Sequence, residues 1–209
     1  LVPDVLNSKE IKLAKERLLE QAEAEEELGL SFRDSGPKQE IKITDGRVDK
    51  DSFSTSNGGV NQRLWMLANK GQCFRDMVTH TLVDELVGYI LGEEFILSTH
   101  SANIAKPGGV RMGLHTDQWW FPDPVNRNDD FLPPGSIKRN KFNIKINENI
   151  INNNELISRP AVSNVLIMLN GMSKENGGTL IVPGSHLFGR HPDKIFDKNI
   201  EVISAEGPP

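Results

Sequence analysis

The sequence predicts a mainly β protein, an antiparallel sandwich or barrel with helices packed outside it. Helical periodicity is confined to the region before residue 94 of the 209-residue chain. After it, short β-type runs alternate with glycine and proline, the residues that commonly bound strands. No connection between these runs has the pattern of a long amphipathic helix, which a parallel sheet would need as a crossover.

The composition is that of a globular protein with one large domain or two small ones. Apolar residues make up 37% of the chain, and the 18 glycines bring the share close to the roughly 45–50% of ordinary globular proteins. This excludes a disordered or collagen-like chain. The net charge of −5 excludes a global basic field that would attract nucleic acid or anionic lipid.

No feature of the sequence indicates a membrane or secreted protein. No apolar run approaches the ~20 residues that cross a bilayer, and no signal-peptide pattern opens the chain. The single cysteine, Cys73, cannot form an internal disulfide, which favours a reducing compartment. We therefore expect a cytoplasmic protein.

The first predicted helix begins at Asn7 or Ser8, either of which can cap it, with Glu10 placed for a capping box. Apolar residues at helical spacing follow, and Gly29 is a suitable end. These apolar residues are Ile11, Ala14, Leu18 and Ala22. We interpret the acidic cluster at 23–27 as a solvated face.

Residues 31–60 are polar with little periodicity, which predicts a loop or a weakly ordered segment, and a second helical region follows. Thr81 with Asp84 three residues on has the pattern of a capping box, so we predict two consecutive helices ending at Gly92. Their shared apolar stripe comprises Phe74, Met77, Val78, Leu82, Leu86, Tyr89 and Ile90.

The β part is predicted over 94–209, after a mostly helical part over 1–93, in a single domain of residues 1–209. A long polar insertion lies at 122–160, and connections of this length in a compact domain are usually functional or mobile. The predicted strand runs are 95–106, 113–119, 161–170, 179–182 and 200–204.

The strongest chemical signal is the run Gly-Leu-His-Thr-Asp-Gln-Trp-Trp at 113–120. Residues i and i+2 of a strand point to one face, so His115 and Asp117 would project side by side. They would form two corners of a 2-His-1-carboxylate triad, the ligand set of non-haem Fe(II) oxygenases. A His–Asp pair kept only for local structure is the alternative. Trp119 and Trp120 either wall a pocket or cap the sheet.

A second His-x-Asp tripeptide, at 191–193, is an internal comparison. It follows the turn at 183–186 and has a proline between its two potential ligands, which argues against an internal strand. We interpret it as part of a surface loop.

Three stretches, taken in order, resemble the phytanoyl-CoA dioxygenase family. They are His100-Ser-Ala-Asn-Ile-Ala-Lys-Pro-Gly-Gly, Gly113-Leu-His-Thr-Asp-Gln and Glu175-Asn-Gly-Gly-Thr-Leu-Ile-Val-Pro-Gly-Ser-His. The helical run at 65–91 is similar to that family as well. The resemblance implies a double-stranded β-helix (a jelly-roll or cupin-like fold), Fe(II), and 2-oxoglutarate as co-substrate.

The resemblance also implies roles for the residues of the second and third stretches. His115 and Asp117 would bind the iron, whereas His186 would lie in a structural turn and not be a ligand. Asp117 favours hydroxylation over halogenation, because related halogenases carry a small residue there. The family's distal histidine and 2-oxoglutarate arginine normally follow this turn at a distance that lies beyond Pro209. We therefore expect a fold incomplete at its C-terminus, with weak iron binding and little activity for these residues.

For the co-substrate, the resemblance implies contacts at Ala102 and Lys106, which share one face of a strand by period-2 counting. A solvent-exposed lysine at the strand end is the alternative for Lys106. Another contact position of the family, often aromatic, falls on Leu166.

The expected function is hydroxylation of an unactivated C–H bond in a small organic molecule. The insertion at 122–160 is the expected lid or substrate-selecting element, because loops on a rigid scaffold carry specificity. Two alternatives come from other classes: a non-catalytic jelly-roll binding protein, and a metal-dependent hydrolase or isomerase on the same scaffold. We expect no nucleic-acid or membrane partner.

Overall fold

The structure, a computed structural model, describes residues 1–34, 43–44, 47–48, 59–117, 137–138, 156–157, 160–187, 192 and 199–209. The α-helices within these ranges are α1 (Ser8–Glu27), α2 (Gln72–Val78) and α3 (Thr81–Leu91). The strands are β1 (Phe32–Asp34), β2 (Ile43–Thr44), β3 (Arg47–Val48), β4 (Asn61–Leu64), β5 (Ala102–Ile104), β6 (Ile137–Lys138), β7 (Leu156–Ile157), β8 (Leu180–Ile181) and β9 (Ile203–Ser204).

Helix α1 begins and ends as the sequence predicts. The Asn7 side chain accepts a hydrogen bond from the backbone N–H of Glu10 at 3.0 Å, and the Glu10 carboxylate accepts one from the N–H of Asn7 at 2.8 Å. This is a complete capping box. At the other end Gly29 has φ +69°, and the N–H of Leu30 donates to the carbonyl of Glu25 at 2.8 Å. Helix α1 therefore ends in a Schellman motif.

The cap gives a prediction for stability. Substituting Asn7→Ala should lower the free energy of unfolding by about 1 kcal/mol, because two backbone N–H groups lose their acceptor. Ser8→Ala, the matched control at the neighbouring candidate cap, should leave it nearly unchanged. Urea unfolding of the two variants measures the difference, and an equal loss in both would contradict the assignment of Asn7 as the cap.

Helices α1 and α2 pack with β4 around the main core of the described residues. This core consists of Ala14, Leu18, Ala22, Leu64, Leu67, Phe74 and Met77. Three of the four apolar residues predicted for the buried face of α1 are among them. Gln62 is itself buried and donates through Nε2 to the carbonyl of Ala22 at 2.8 Å, which ties β4 to α1.

The prediction of two consecutive helices ending at Gly92 is confirmed, but the cap and part of the stripe differ. His80 is the cap of α3, because its Nδ1 accepts from the N–H of Leu82 at 3.3 Å. Tyr89 is 90%, Leu86 46% and Ile90 41% exposed, so these three are outside the core. The prediction of a single apolar stripe shared by both helices was wrong, because the break before α3 lets each helix take its own orientation.

Strands β1, β4 and β5 form an antiparallel sheet with β4 in the middle. The prediction of a loop over 31–60 was wrong at β1 and at the antiparallel pair β2 and β3. These short strands lack the alternation of apolar and polar residues that marks a half-buried strand, so periodicity could not find them. Strand β4, with the sequence Asn-Gln-Arg-Leu, was missed for the same reason.

Strands β8 and β9 pair antiparallel, as two of the predicted runs require. The Gly-Gly pair before β8 makes this pairing possible. Gly177 has φ +91°, a conformation that side chains disfavour. A Cβ on Gly178 would lie 2.6 Å from Ser204 Oγ and 2.8 Å from the carbonyl of Ser173, so only glycine fits there.

The strands are all paired antiparallel wherever the structure describes a pair, as expected. The sheets are small, and the described strands do not assemble into a closed double-stranded β-helix. The runs predicted at 113–119 and 161–170 hold no strand within their described residues, which corrects that prediction. Of the helices in the described ranges, none has the length and apolar character needed to pass through a bilayer.

Candidate metal-binding site

The segment that leads to His115 and Asp117 follows β5 in the chain. Two side chains of β4, Asn61 and Arg63, contact this segment. Asn61 accepts from the N–H of Lys106 at 2.9 Å. A Cβ on Gly109 would lie 2.7 Å from the same Asn61 oxygen, so the turn needs glycine there. Arg63 Nη2 lies 3.6 Å from the sulfur of Met112. These contacts anchor the segment that leads to the pair.

His115 and Asp117 lie side by side, with His115 Nε2 3.4 Å from Asp117 Oδ1. A strand is not the cause, because residues 113–117 are not in one. His115 Nδ1 instead lies 2.8 Å from the carbonyl oxygen of Gly113. A carbonyl can only accept, so Nδ1 donates this bond, and Nε2 is the ring nitrogen left to bind a metal when it is deprotonated. This local bond also occupies a carbonyl that a strand would use.

The other carboxylate oxygen of Asp117 is held by Asn164, which donates to it through Nδ2. The contact joins residues 47 positions apart. Sequence reasoning missed Asn164, because it lies in no motif and no local spacing relates it to Asp117. The segment around it, predicted to be a strand, therefore reaches the site as an irregular chain.

The pair is electrostatically coupled. The hydrogen bond to the Asp117 carboxylate raises the pKa of His115, and the imidazole lowers the pKa of Asp117 in turn. The nearby positive charge of Arg63 acts to lower both pKa values, yet that of His115 stays raised. The carboxylate thus favours positive charge beside Nε2, and the same field favours a metal cation there.

Arg63 is a second residue of this region that sequence reasoning missed. It forms an ion pair with Asp34 of β1, whose side chain is only 3% exposed. The guanidinium therefore lies between a buried carboxylate and the segment of Met112. No sequence motif marks either charged residue.

The predicted co-substrate residues Ala102 and Lys106 lie close to the helical part of the protein. Ala102 packs against the helical core together with Ile104. Lys106 has an exposed side chain. Hydrogen bonds from Arg33 and Ser31 lower the pKa of Glu26 at the end of α1, and the charge of Lys106 lowers it to a smaller extent. Among the contacts described, none joins Ala102 or Lys106 to the His–Asp pair, and their role in binding 2-oxoglutarate stays a prediction.

The remaining predicted positions are exposed or outside the described part of the chain. Leu166 is 63% exposed. His186 lies exposed in a short 3-10 turn, Ser185–Leu187. Trp119 and Trp120 lie outside the described residues, as do His191 and Asp193 and most of the insertion at 122–160.

The His115–Asp117 pair offers two donor atoms to a metal, Nε2 and Oδ1. Within these ranges, no group of three or more His, Cys, Asp or Glu side chains comes together to hold an ion.

Comparisons with known proteins identify the family of the chain. The profile of the phytanoyl-CoA dioxygenase (PhyH) family matches residues 2–201. A relative, "Dioxygenase af480" of Aspergillus fumigatus, is 30% identical over 128 residues, 61% of this chain and 31% of the relative. The chain thus spans about a third of that relative's length. No solved structure matches the chain significantly. Since the family match covers nearly the whole chain, the protein belongs to the phytanoyl-CoA dioxygenase family.

Proposed function

We propose that the protein is an Fe(II)- and 2-oxoglutarate-dependent dioxygenase that hydroxylates an unactivated C–H bond of a small organic molecule. The observation that carries this proposal is the His115–Asp117 pair, in which an imidazole nitrogen and a carboxylate oxygen face each other at 3.4 Å. Membership of the family and a relative named as a dioxygenase support it.

The pair fits two corners of a metal site. Ligand nitrogen and oxygen atoms lie about 2.0–2.2 Å from a divalent metal such as zinc, so two neighbouring corners are roughly 3 Å apart. The separation in the protein exceeds this by a few tenths of an ångström, which a small side-chain rotation covers. Nitrogen and carboxylate oxygen are also the donor types of the facial triad in non-haem iron oxygenases.

When bound, Fe(II) supplies the oxidising chemistry in which R–H, 2-oxoglutarate and O2 give R–OH, succinate and CO2. The protein's residues hold and orient the reacting groups. Gly113 fixes the His115 ring through Nδ1, and Asp117 adds the negative charge that retains a cation. The guanidinium of Arg63 brings positive charge near the pair, which favours an anionic co-substrate beside it.

The proposed site includes further residues, and the proposed fold covers the whole chain. Ala102 and Lys106 are proposed to contact 2-oxoglutarate, and Trp119 and Trp120 to wall the substrate pocket. The presence of a carboxylate at 117 supports hydroxylation over halogenation. We also propose one domain over 1–209, with a double-stranded β-helix in 94–209 that includes the β8–β9 pair.

The test is to express the protein from its complete gene, load it with Fe(II) without oxygen, and then add 2-oxoglutarate and O2. Succinate formation that requires all three components is the expected result, and slow uncoupled turnover suffices because no substrate needs to be known. Iron binding without succinate would indicate a binding protein. Turnover of a substrate without 2-oxoglutarate or O2 would indicate a hydrolase or isomerase.

A further inference from the structure

We propose that Asn164 is a positioning residue that keeps Asp117 a one-oxygen ligand and so preserves an open coordination position on the metal. This inference rests on the proposed function. The observation behind it is the hydrogen bond from Asn164 Nδ2 to Asp117 Oδ2.

The polar side-chain atoms of the pair fall into two groups, outer atoms that bond to other residues and inner atoms that face each other. The outer atoms, His115 Nδ1 and Asp117 Oδ2, bond to the Gly113 carbonyl and to the Asn164 amide. The inner atoms, His115 Nε2 and Asp117 Oδ1, face each other at 3.4 Å. One nitrogen and one oxygen are thereby directed toward the same point, while the second oxygen is turned toward the amide.

The carboxylate needs a hydrogen-bond partner to fix its orientation, because the distribution of the terminal torsion angle of aspartate is broad. The Asp117 side chain is 42% exposed, so packing does not fix it either. The amide donates to one oxygen only, which selects a single rotation. Outer hydrogen bonds of this kind orient ligating carboxylates and tune the metal that they bind.

The functional consequence concerns the number of coordination positions. A facial triad leaves open positions for co-substrate and O2. A carboxylate that bound through both oxygens would occupy one of them. By donating to Oδ2, Asn164 disfavours that second bond.

The test uses the protein expressed from its complete gene. Co(II) is the probe, because it does not support turnover. Asn164→Leu removes the donor at similar volume, and Asn164→Gln retains a donor on a longer arm. Asn69→Leu is the matched control at an exposed asparagine away from the pair. The readouts are the Co(II) dissociation constant, the d–d absorption spectrum and the melting temperature.

We expect Asn164→Leu to weaken Co(II) binding by roughly 10- to 100-fold and to shift the absorption spectrum toward a higher coordination number. Asn164→Gln should restore part of both, and Asn69→Leu should change neither. The melting temperature should not move, because Asn164 is exposed. An Asn164→Leu variant with the unaltered affinity and spectrum would overturn the inference and leave the proposed function standing. If the unsubstituted protein binds no Co(II), both are wrong.

Discussion

Substituting His115→Ala is expected to remove metal-dependent turnover. The imidazole supplies one of the two donor atoms that the described residues direct to a common point, 3.4 Å from Asp117 Oδ1. Loss of a primary ligand should weaken Fe(II) binding by more than the roughly 10- to 100-fold typical of outer partners. Anaerobic Fe(II) titration and succinate formation from 2-oxoglutarate measure the two effects.

The control for this substitution is His186→Ala. His186 is an exposed histidine of the 3-10 turn after β8, so its loss should leave iron binding and turnover unchanged. The opposite pattern, with His186 required and His115 dispensable, would assign the ligand to the Pro-Gly-Ser-His turn and refute the proposed pair.

Substituting Arg63→Met is expected to lower the free energy of unfolding by about 3 kcal/mol, the lower end for breaking a buried ion pair. The guanidinium is 23% exposed and the Asp34 carboxylate that it contacts is 3% exposed. Removing the cation leaves a desolvated carboxylate that has lost this ion pair, which is far more costly than losing a surface pair. Urea-induced unfolding measures the change.

Arg33→Met is a matched control on the same sheet. Arg33 pairs with Glu26 through side chains that are 32% and 49% exposed, so its loss should cost much less than the loss of Arg63. A double variant, Arg63→Met with Asp34→Leu, should recover part of the larger loss, because it removes both charges. Equal losses for the two arginine variants would show that burial of the Asp34–Arg63 pair does not matter for stability.

The helices could be predicted from the sequence because their signals are local. The Asn7 capping box spans four residues, and the α1 face repeats within one or two turns. Strands β1 and β4 could not be predicted, since their polar residues carry no alternation and only the pairing of distant segments makes them strands. The exposure of Tyr89 was not predictable either, because a helical pattern does not say which neighbour covers each face.

The candidate site also has one feature with a local signal in the sequence and others that depend on distant segments. The proximity of His115 and Asp117 could be predicted, because one residue separates them along the chain. The bond to Gly113, rather than the predicted strand, positions the ring. The contact of Asn164 with Asp117 and that of Arg63 with Met112 arise from the tertiary fold, because these residues are 47 and 49 positions apart. Such contacts depend on the path of the whole intervening chain, and no spacing along the sequence encodes that path.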